Sequence, residues 1–361
     1  MKIAWICDTM YQILNCINYV LNKRRDGCIY DLYIGHQFIN DKKIENKLKR
    51  MGIFNKVIAY TPFSNKRGYK EAVKRTLGIL SPKYRIKNML LNKADVEFIS
   101  DTYDIIFMSI FTHFSVSLAF MTNAQKIYYY DDGIGSYIGD IFSISKKIYR
   151  RYALFGYDLN RILPDRIYLN NIEFCKNNIN CQVFELPNLM DNSHLKMKFI
   201  EDVFEYKNKG YYKEHRVIYL SQPNDNCVSD VDKLEIKMLN AIKNSLNNIL
   251  IRPHPRQNAD AFEGYSVDIH RNCWELICID QISNEHILIG SFSTSQIMPK
   301  LIVDKEPYLI FTYRLFSRMF TEKQLNEFED FIQFIRTKYR NRNKIFVVNT
   351  INELVEYLNT L

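Results

Sequence analysis

No apolar stretch of this chain approaches the length of a bilayer crossing, so nothing in it reads as a membrane span. The opening run, Met1-Lys2-Ile3-Ala4-Trp5-Ile6-Cys7-Asp8, is also too short for a secretory signal. Eight cysteines (Cys7, Cys16, Cys28, Cys175, Cys181, Cys227, Cys273, Cys278) include no CxxC and no paired Cys/His spacing. A zinc site or disulfide frame is thereby disfavoured, and reduced core cysteines of a cytosolic protein are expected. GxGxxG is missing after the first predicted strand, which argues against a dinucleotide cofactor. RRM, KH and helix-turn-helix signatures are missing too, and the aromatics lie mainly in apolar strands, so no nucleic-acid partner is expected.

What is present is a globular composition. A chain of 361 residues that is 47% hydrophobic can bury a sizeable core, and its length suits two domains. Forty-nine Lys and Arg outweigh 40 Asp and Glu, leaving +9. That balance by itself favours an anionic substrate, nucleic acid or an anionic membrane face, without choosing among them.

Apolar runs and turn signals alternate along the chain as in α/β proteins. Lys2 to Cys7 reads as a buried strand, Asp8-Thr9-Met10 as a turn and Tyr11 to Leu21 as an apolar helix. Further strands are predicted at Tyr30 to Ile34, Lys56 to Tyr60, Asp104 to Ser109 and Lys126 to Tyr130, with helices at Asn40 to Met51 and Phe114 to Met121. Asn65 to Asn92 mixes basic and apolar residues, a solvated helix face or a surface for anionic lipid or glycan. Residues 138 to 210 read as irregular, with a handover between domains near Asn192 to Gly210. Alternation then restarts: strands at Arg216 to Leu220, Ile249 to Ile251, His286 to Ile289, Tyr308 to Phe311 and Lys344 to Val347, and a closing helix at Ile351 to Leu361. Ser229 to Leu246 is a helix with Leu234, Met238, Ile242 and Leu246 at four-residue steps. Ser229 and Asp232 suit a capping box, which accounts for Asp230-Val231-Asp232 better than a metal-binding DxD does.

Four loops carry candidate chemistry. Asn248 to Gln257 is a short strand that stops in Arg252-Pro253-His254-Pro255-Arg256. Each proline fixes its φ and extends the residue before it, presenting an imidazole between two guanidinium groups where α/β sheets hold ligands. Asp131-Asp132-Gly133 ends another strand, and neighbouring side chains of an extended chain point opposite ways, so only one carboxylate can face a given ligand. Ser221-Gln222-Pro223-Asn224-Asp225 ends a third; it opens on the same edge as His254 if the two strands are neighbours. Gly290-Ser291-Phe292-Ser293-Thr294-Ser295 leads into a helix, where hydroxyls, free amides and the helix dipole favour an anion.

In kind and order, Asp131-Asp132-Gly133, Ser221 to Asp225, Pro253 to Gln257 and Ser291 to Thr294 resemble the bacterial lipooligosaccharide sialyltransferases of glycosyltransferase family 52. The resemblance implies a GT-B-type α/β architecture: two Rossmann-like domains with parallel sheets facing a central cleft. Residues 1–200 would be the acceptor-side domain, 211–348 the CMP-sugar donor domain and 349–361 a closing helix. It implies an inverting transfer from CMP-sialic acid to a galactose-type hydroxyl of capsule or lipooligosaccharide, with neither metal nor cofactor.

By position, His254 would be the general acid or phosphate partner, and Ser291 with Ser293 or Thr294 would hold the phosphate. Arg252, Pro255, Arg256, Gly290, Ser221 and Gln222 would complete the donor side, and Thr9, Tyr11, Asp132 and Gly133 the acceptor side. Asp225 is the favoured base and Asp131 the alternative. A single bridging phosphate gathers modest charge on leaving, which one protonated histidine and a hydroxyl nest can meet. Relatives that move glucose make another sugar nucleotide the nearest alternative, and a noncatalytic binder of anionic glycans the more distant one. A cytoplasmic enzyme meeting a lipid-linked acceptor at the inner membrane face would use the basic helices for peripheral contact, and a homodimer is allowed.

Overall fold

The computed structural model describes residues 1–36, 41–61, 69–100, 102–109, 111–137, 152–175, 181–190, 194–207, 210–222, 229–246, 248–255, 257, 259–270 and 272–361. The chain divides into two compact units, Met1–Phe204 and Glu205–Leu361.

The first unit is a seven-stranded parallel sheet. Its strands are β1 (Lys2–Cys7), β2 (Ile29–Gly35), β3 (Lys56–Tyr60), β4 (Ile105–Met108), β5 (Lys126–Tyr130), β6 (Arg166–Leu169) and β7 (Gln182–Glu185). They lie in the order β3-β2-β1-β4-β5-β6-β7, so the chain starts in the middle and winds outward both ways. β1 is buried along nearly its whole length, which is why it reads as a continuous apolar run rather than an alternating one. The helices are α1 (Met10–Lys23), α2 (Asp41–Met51), α3 (Tyr69–Leu80), α4 (Pro82–Met89), α5 (His113–Met121) and α6 (His194–Val203). Aromatic stacking fills the core: Trp5 lies on Phe107 with centroids 3.9 Å apart, and Tyr60 on Phe114 at 3.6 Å.

The second unit repeats the plan with six parallel strands: β8 (Val217–Leu220), β9 (Ile249–Arg252), β10 (Ser266–Val267), β11 (Ile287–Gly290), β12 (Tyr308–Phe311) and β13 (Ile345–Val347). Their order is β10-β9-β8-β11-β12-β13. The helices are α7 (Ser229–Leu246), α8 (Trp274–Asp280), α9 (Thr294–Val303), α10 (Glu322–Lys338) and α11 (Ile351–Thr360). Met238 and Ile242 of α7 are fully buried, with Leu234 and Leu246 packed against the same core, as the four-residue spacing requires. Leu354 and Leu358 of α11 join that core. The side chains of Ser229 and Asp232 lie outside the described residues, as does the capping box predicted from them.

In both sheets the winding reverses at one point, between β1 and β4 and between β8 and β11. Loops at the carboxyl ends of such strands diverge and leave room for a ligand. One prediction fails: residues 138 to 210, expected to be irregular, contain β6, β7 and α6. β6 and β7 are four residues each, and β7 is a sheet edge with no fully buried residue, so neither gives a run or an alternation long enough to register.

Trp5 is fully buried at the centre of its sheet. Trp5→Ala should lower the unfolding free energy by about 3–5 kcal/mol through the cavity it leaves, measured by guanidinium titration of the whole chain.

Candidate functional site

In the second unit, β8 lies between β9 and β11, so the loops after these three strands are neighbours. Side-chain amides tie them together. The His254 backbone N–H donates to Gln257 Oε1 at 3.0 Å, and the Gln257 N–H returns a bond to the His254 carbonyl at 2.8 Å. Gln257 Nε2 reaches the Gln222 carbonyl at 3.0 Å. The Gln222 amide donates in turn to the Phe292 carbonyl. Three segments far apart in sequence therefore form one edge, with Pro253 buried, His254 half-buried and Pro255 exposed.

At the head of α9, Ser293 is the N-cap of a capping box with Gln296, its Oγ accepting from the Ser295 N–H at 3.2 Å. Gly290 has a packing reason. A Cβ there would stand 3.0 Å from Gln296 Oε1 and 3.2 Å from the Leu220 carbonyl, so the absent side chain lets Gln296 lie against the sheet. Ser291 Oγ and Thr312 Oγ1, on the residues that follow adjacent strands β11 and β12, are buried and without a hydrogen-bond partner among the described residues. A buried hydroxyl left unpaired costs about 1–3 kcal/mol and calls for an explanation such as a ligand role. Thr312 carried no motif and was missed; no sequence signal marks it.

Two candidates turn to internal work. Arg252 donates from Nη1 to Asp268 at 2.6 Å and to Tyr212 Oη at 2.8 Å, and from Nη2 to the Asn272 carbonyl at 2.6 Å. Its guanidinium also lies 5.1 Å from the Trp274 ring centroid. Burial works against its charge, but Tyr212 and Asp268 more than offset that and raise its pKa. Ser221 Oγ donates to Glu235 of α7 at 3.2 Å. Asp225 and Arg256 lie outside the described residues.

In the first unit a second cluster forms at the ends of β1 and β5. Thr9 caps α1, accepting from the Gln12 N–H at 3.2 Å. Gln12 is fully buried and bridges: Oε1 accepts from the Asp8 N–H, and Nε2 donates to Asp132 Oδ1. One turn on, Asn15 Nδ2 donates to the Asp131 carbonyl at 3.2 Å. Asp8 accepts from Tyr60 Oη at 2.6 Å and is pressed against Gly35, where a Cβ would fall 2.3 Å from its Oδ1.

The two adjacent acids differ sharply. Asp131 is fully buried and accepts from the Gly133 N–H at 2.8 Å, from Tyr137, and from the Asn170 N–H and Nδ2, both at 3.1 Å. Burial still raises its pKa, while these donors lower it. Asp132 is partly exposed and, among the described residues, accepts only from Gln12. Burial and the neighbouring charges of Asp131 and Asp8 push its carboxyl up to about 7. Gly133 sits at φ 97°, a left-handed position that suits glycine and lets its N–H turn back on Asp131. Asn170 Nδ2 also donates to Tyr11 Oη at 2.7 Å, so Thr9, Tyr11, Asp132 and Gly133 do belong to one cluster.

Gln12, Asn15, Asn170, Asp8 and Tyr60 were not singled out from the sequence. A signal existed for two of them: Gln12 and Asn15 stand with Asn18 in a row of polar residues at three-residue steps among the apolar residues of α1, hence on one face. Among the described residues no group of three His, Cys, Asp or Glu is arranged to hold a metal.

No protein-family model matches the sequence, and no curated protein does. Solved structures do match in fold. The glycotransferase of kitacinnamycin aligns with TM-score 0.53 and 11% identity, over 100% of this chain and 90% of that one. The spinosyn rhamnosyltransferase SpnG, complexed with thymidine diphosphate, gives 0.52 and 6%, over 100% and 91%. CalG4, the calicheamicin glycosyltransferase, gives 0.51 and 9%, over 100% and 89%. At such identities the likeness concerns fold alone, and that fold, two parallel-sheet Rossmann-like domains, is the GT-B fold of glycosyltransferases.

Proposed function

We propose that the chain is an inverting glycosyltransferase that moves sialic acid from CMP-sialic acid to a galactose-type hydroxyl of a bacterial surface glycan. The observation that carries this reading is the amide lacing of the second unit. Gln257 and Gln222 hold the His254 loop, the Ser221 loop and the Ser291–Ser293 turn together as one edge. A phosphate at that edge would meet an imidazole beside the amino terminus of α9 with its hydroxyls. Departure of CMP calls for a proton or hydrogen bonds on the phosphate oxygen as its bond to the sugar breaks, and His254 supplies them. Ser291 and Thr312 hydroxyls, unpaired in the described structure, are the natural further donors. Arg252 holds β9 to Asp268 and so serves the edge indirectly, which leaves direct contact with the anion to His254.

The acceptor would be a lipid-linked glycan met at the anionic inner face of the membrane. Residues 69 to 91 hold six Lys or Arg against one acid. Lys83 and Lys87 are exposed there, as are Leu77 and Leu80. No helix of the described residues is long and apolar enough to cross a membrane.

A second donor class has one observation behind it: the SpnG neighbour is complexed with thymidine diphosphate. Nucleotide release from CMP-sialic acid, UDP-sugars and TDP-sugars, with and without a galactose-terminated acceptor, decides between them. CMP release accelerated by acceptor is the expected outcome. Release of UDP or TDP instead establishes the alternative, and release from no donor leaves a binding protein.

His254→Ala should cut turnover by about 100-fold or more while the Kd for CMP holds, since a general acid acts on the leaving step and not on the bound nucleotide. Equal losses in turnover and CMP affinity would make it a binding residue only.

A further inference from the structure

Two neighbouring acids stand at the end of β5, and the structure separates their tasks. Every lone-pair direction of Asp131 that matters is taken up by its own unit: Gly133, Tyr137 and Asn170 close around it, and it is fully buried. It fixes the turn. Asp132 points the other way, as alternation along an extended chain requires. Its backbone N–H is held by Ser136 Oγ at 2.9 Å, and Oδ1 is held by Gln12. Oδ2 has no partner among the described residues, and the residue reaches solvent. This is a carboxylate oxygen set in a rigid frame and left available at the carboxyl edge of the sheet, within the cluster that also holds Thr9 and Tyr11.

We propose that Asp132, rather than its neighbour Asp131, accepts the proton of the attacking acceptor hydroxyl, with Gln12 as its positioning residue. The assignment rests on the glycosyltransferase reading. In the step it serves, a lone pair of the acceptor oxygen forms the new bond to the anomeric carbon. The bond from that carbon to the nucleotide phosphate breaks, and its electron pair leaves with the phosphate oxygen. The hydroxyl proton passes to Asp132 Oδ2 and from there to water, so charge and atoms balance.

Gln12 orients the carboxylate because its amide is fixed at both ends: the Asp8 N–H takes the carbonyl oxygen, which leaves only the NH2 group for Asp132. Among the described residues, the groups acting on Asp132 are Asp131 in its own turn, Asp8 from the end of β1, Tyr130 from β5 and the Gln12 amide from α1. Of these only Gln12 favours the ionised form, and the carboxyl, pushed up to about 7, is a base well matched to a neutral medium.

The test uses the whole chain with whichever nucleotide sugar it turns over. Asp132→Asn should lower kcat about 100-fold or more, with donor KM little changed. In the parent protein kcat/KM should rise with pH through about 7, because the basic form exists above that value. Gln12→Leu, which removes the hydrogen bond that favours the ionised carboxylate, should move this rise to higher pH.

A readout free of activity comes from stability. A carboxyl whose pKa is raised from 3.8 to about 7 in the folded chain penalises folding increasingly between those two values, with the full penalty above the upper one. Asp132→Asn should therefore raise Tm, and by more at pH 8 than at pH 5. Turnover that survives Asp132→Asn, or an unmoved pH profile in Gln12→Leu, overturns the assignment while leaving the glycosyltransferase reading intact. Absence of turnover with every donor overturns both.

Discussion

A buried polar group without a partner is costly, and in this protein carboxamide side chains do much of the pairing at the functional edges. An amide donates and accepts at once and carries no charge into a low-dielectric interior, so it can join two loops without the desolvation cost of an ion pair. Gln12, Asn15 and Asn170 do this in the first unit. Gln222, Gln257 and Gln296 do it in the second, where the Gln296 amide also donates to the Ile310 carbonyl at 3.0 Å. Each sheet supplies strands that end side by side; the amides convert that neighbourhood into a fixed arrangement.

This division of labour separates scaffold charge from working charge. Arg252 and Asp268 are locked to each other with Tyr212, so the strand that carries His254 is anchored by a closed ion pair whose charges are already spent on one another. Such a pair is costly to break and contributes little field outside itself. The same logic separates Asp131 from Asp132: among the described residues, one acid is surrounded by donors and the other is held by one.

Much of the fold was legible because the strands are buried on both faces. Lys56–Tyr60, Lys126–Tyr130 and Tyr308–Phe311 have the predicted bounds, each a compact apolar run set off by polar turns. Loop chemistry was legible in part. The convergence of Ser221, His254 and Ser291 loops followed from assuming that their strands were neighbours, and the sheet order supplies that neighbourhood. Which acid of the Asp131-Asp132 pair faces outward was not legible, since it depends on Tyr137 and on Asn170, a residue that arrives on a strand too short to be recognised. Arg252 was read as charge for an anion because its partner Asp268 lies beyond the motif and only the pairing of β9 with β10 brings the two together.

Gly35 has a consequence for how this chain can change over generations. Because a methyl group there would occupy the space of the Asp8 carboxylate, which Tyr60 also holds, positions 8, 35 and 60 form a single heritable unit across three neighbouring strands. A larger residue at 35 requires the Asp8 carboxylate to shift or to be lost. Homologous lineages should accordingly keep or abandon the three together, and the order of the losses is constrained.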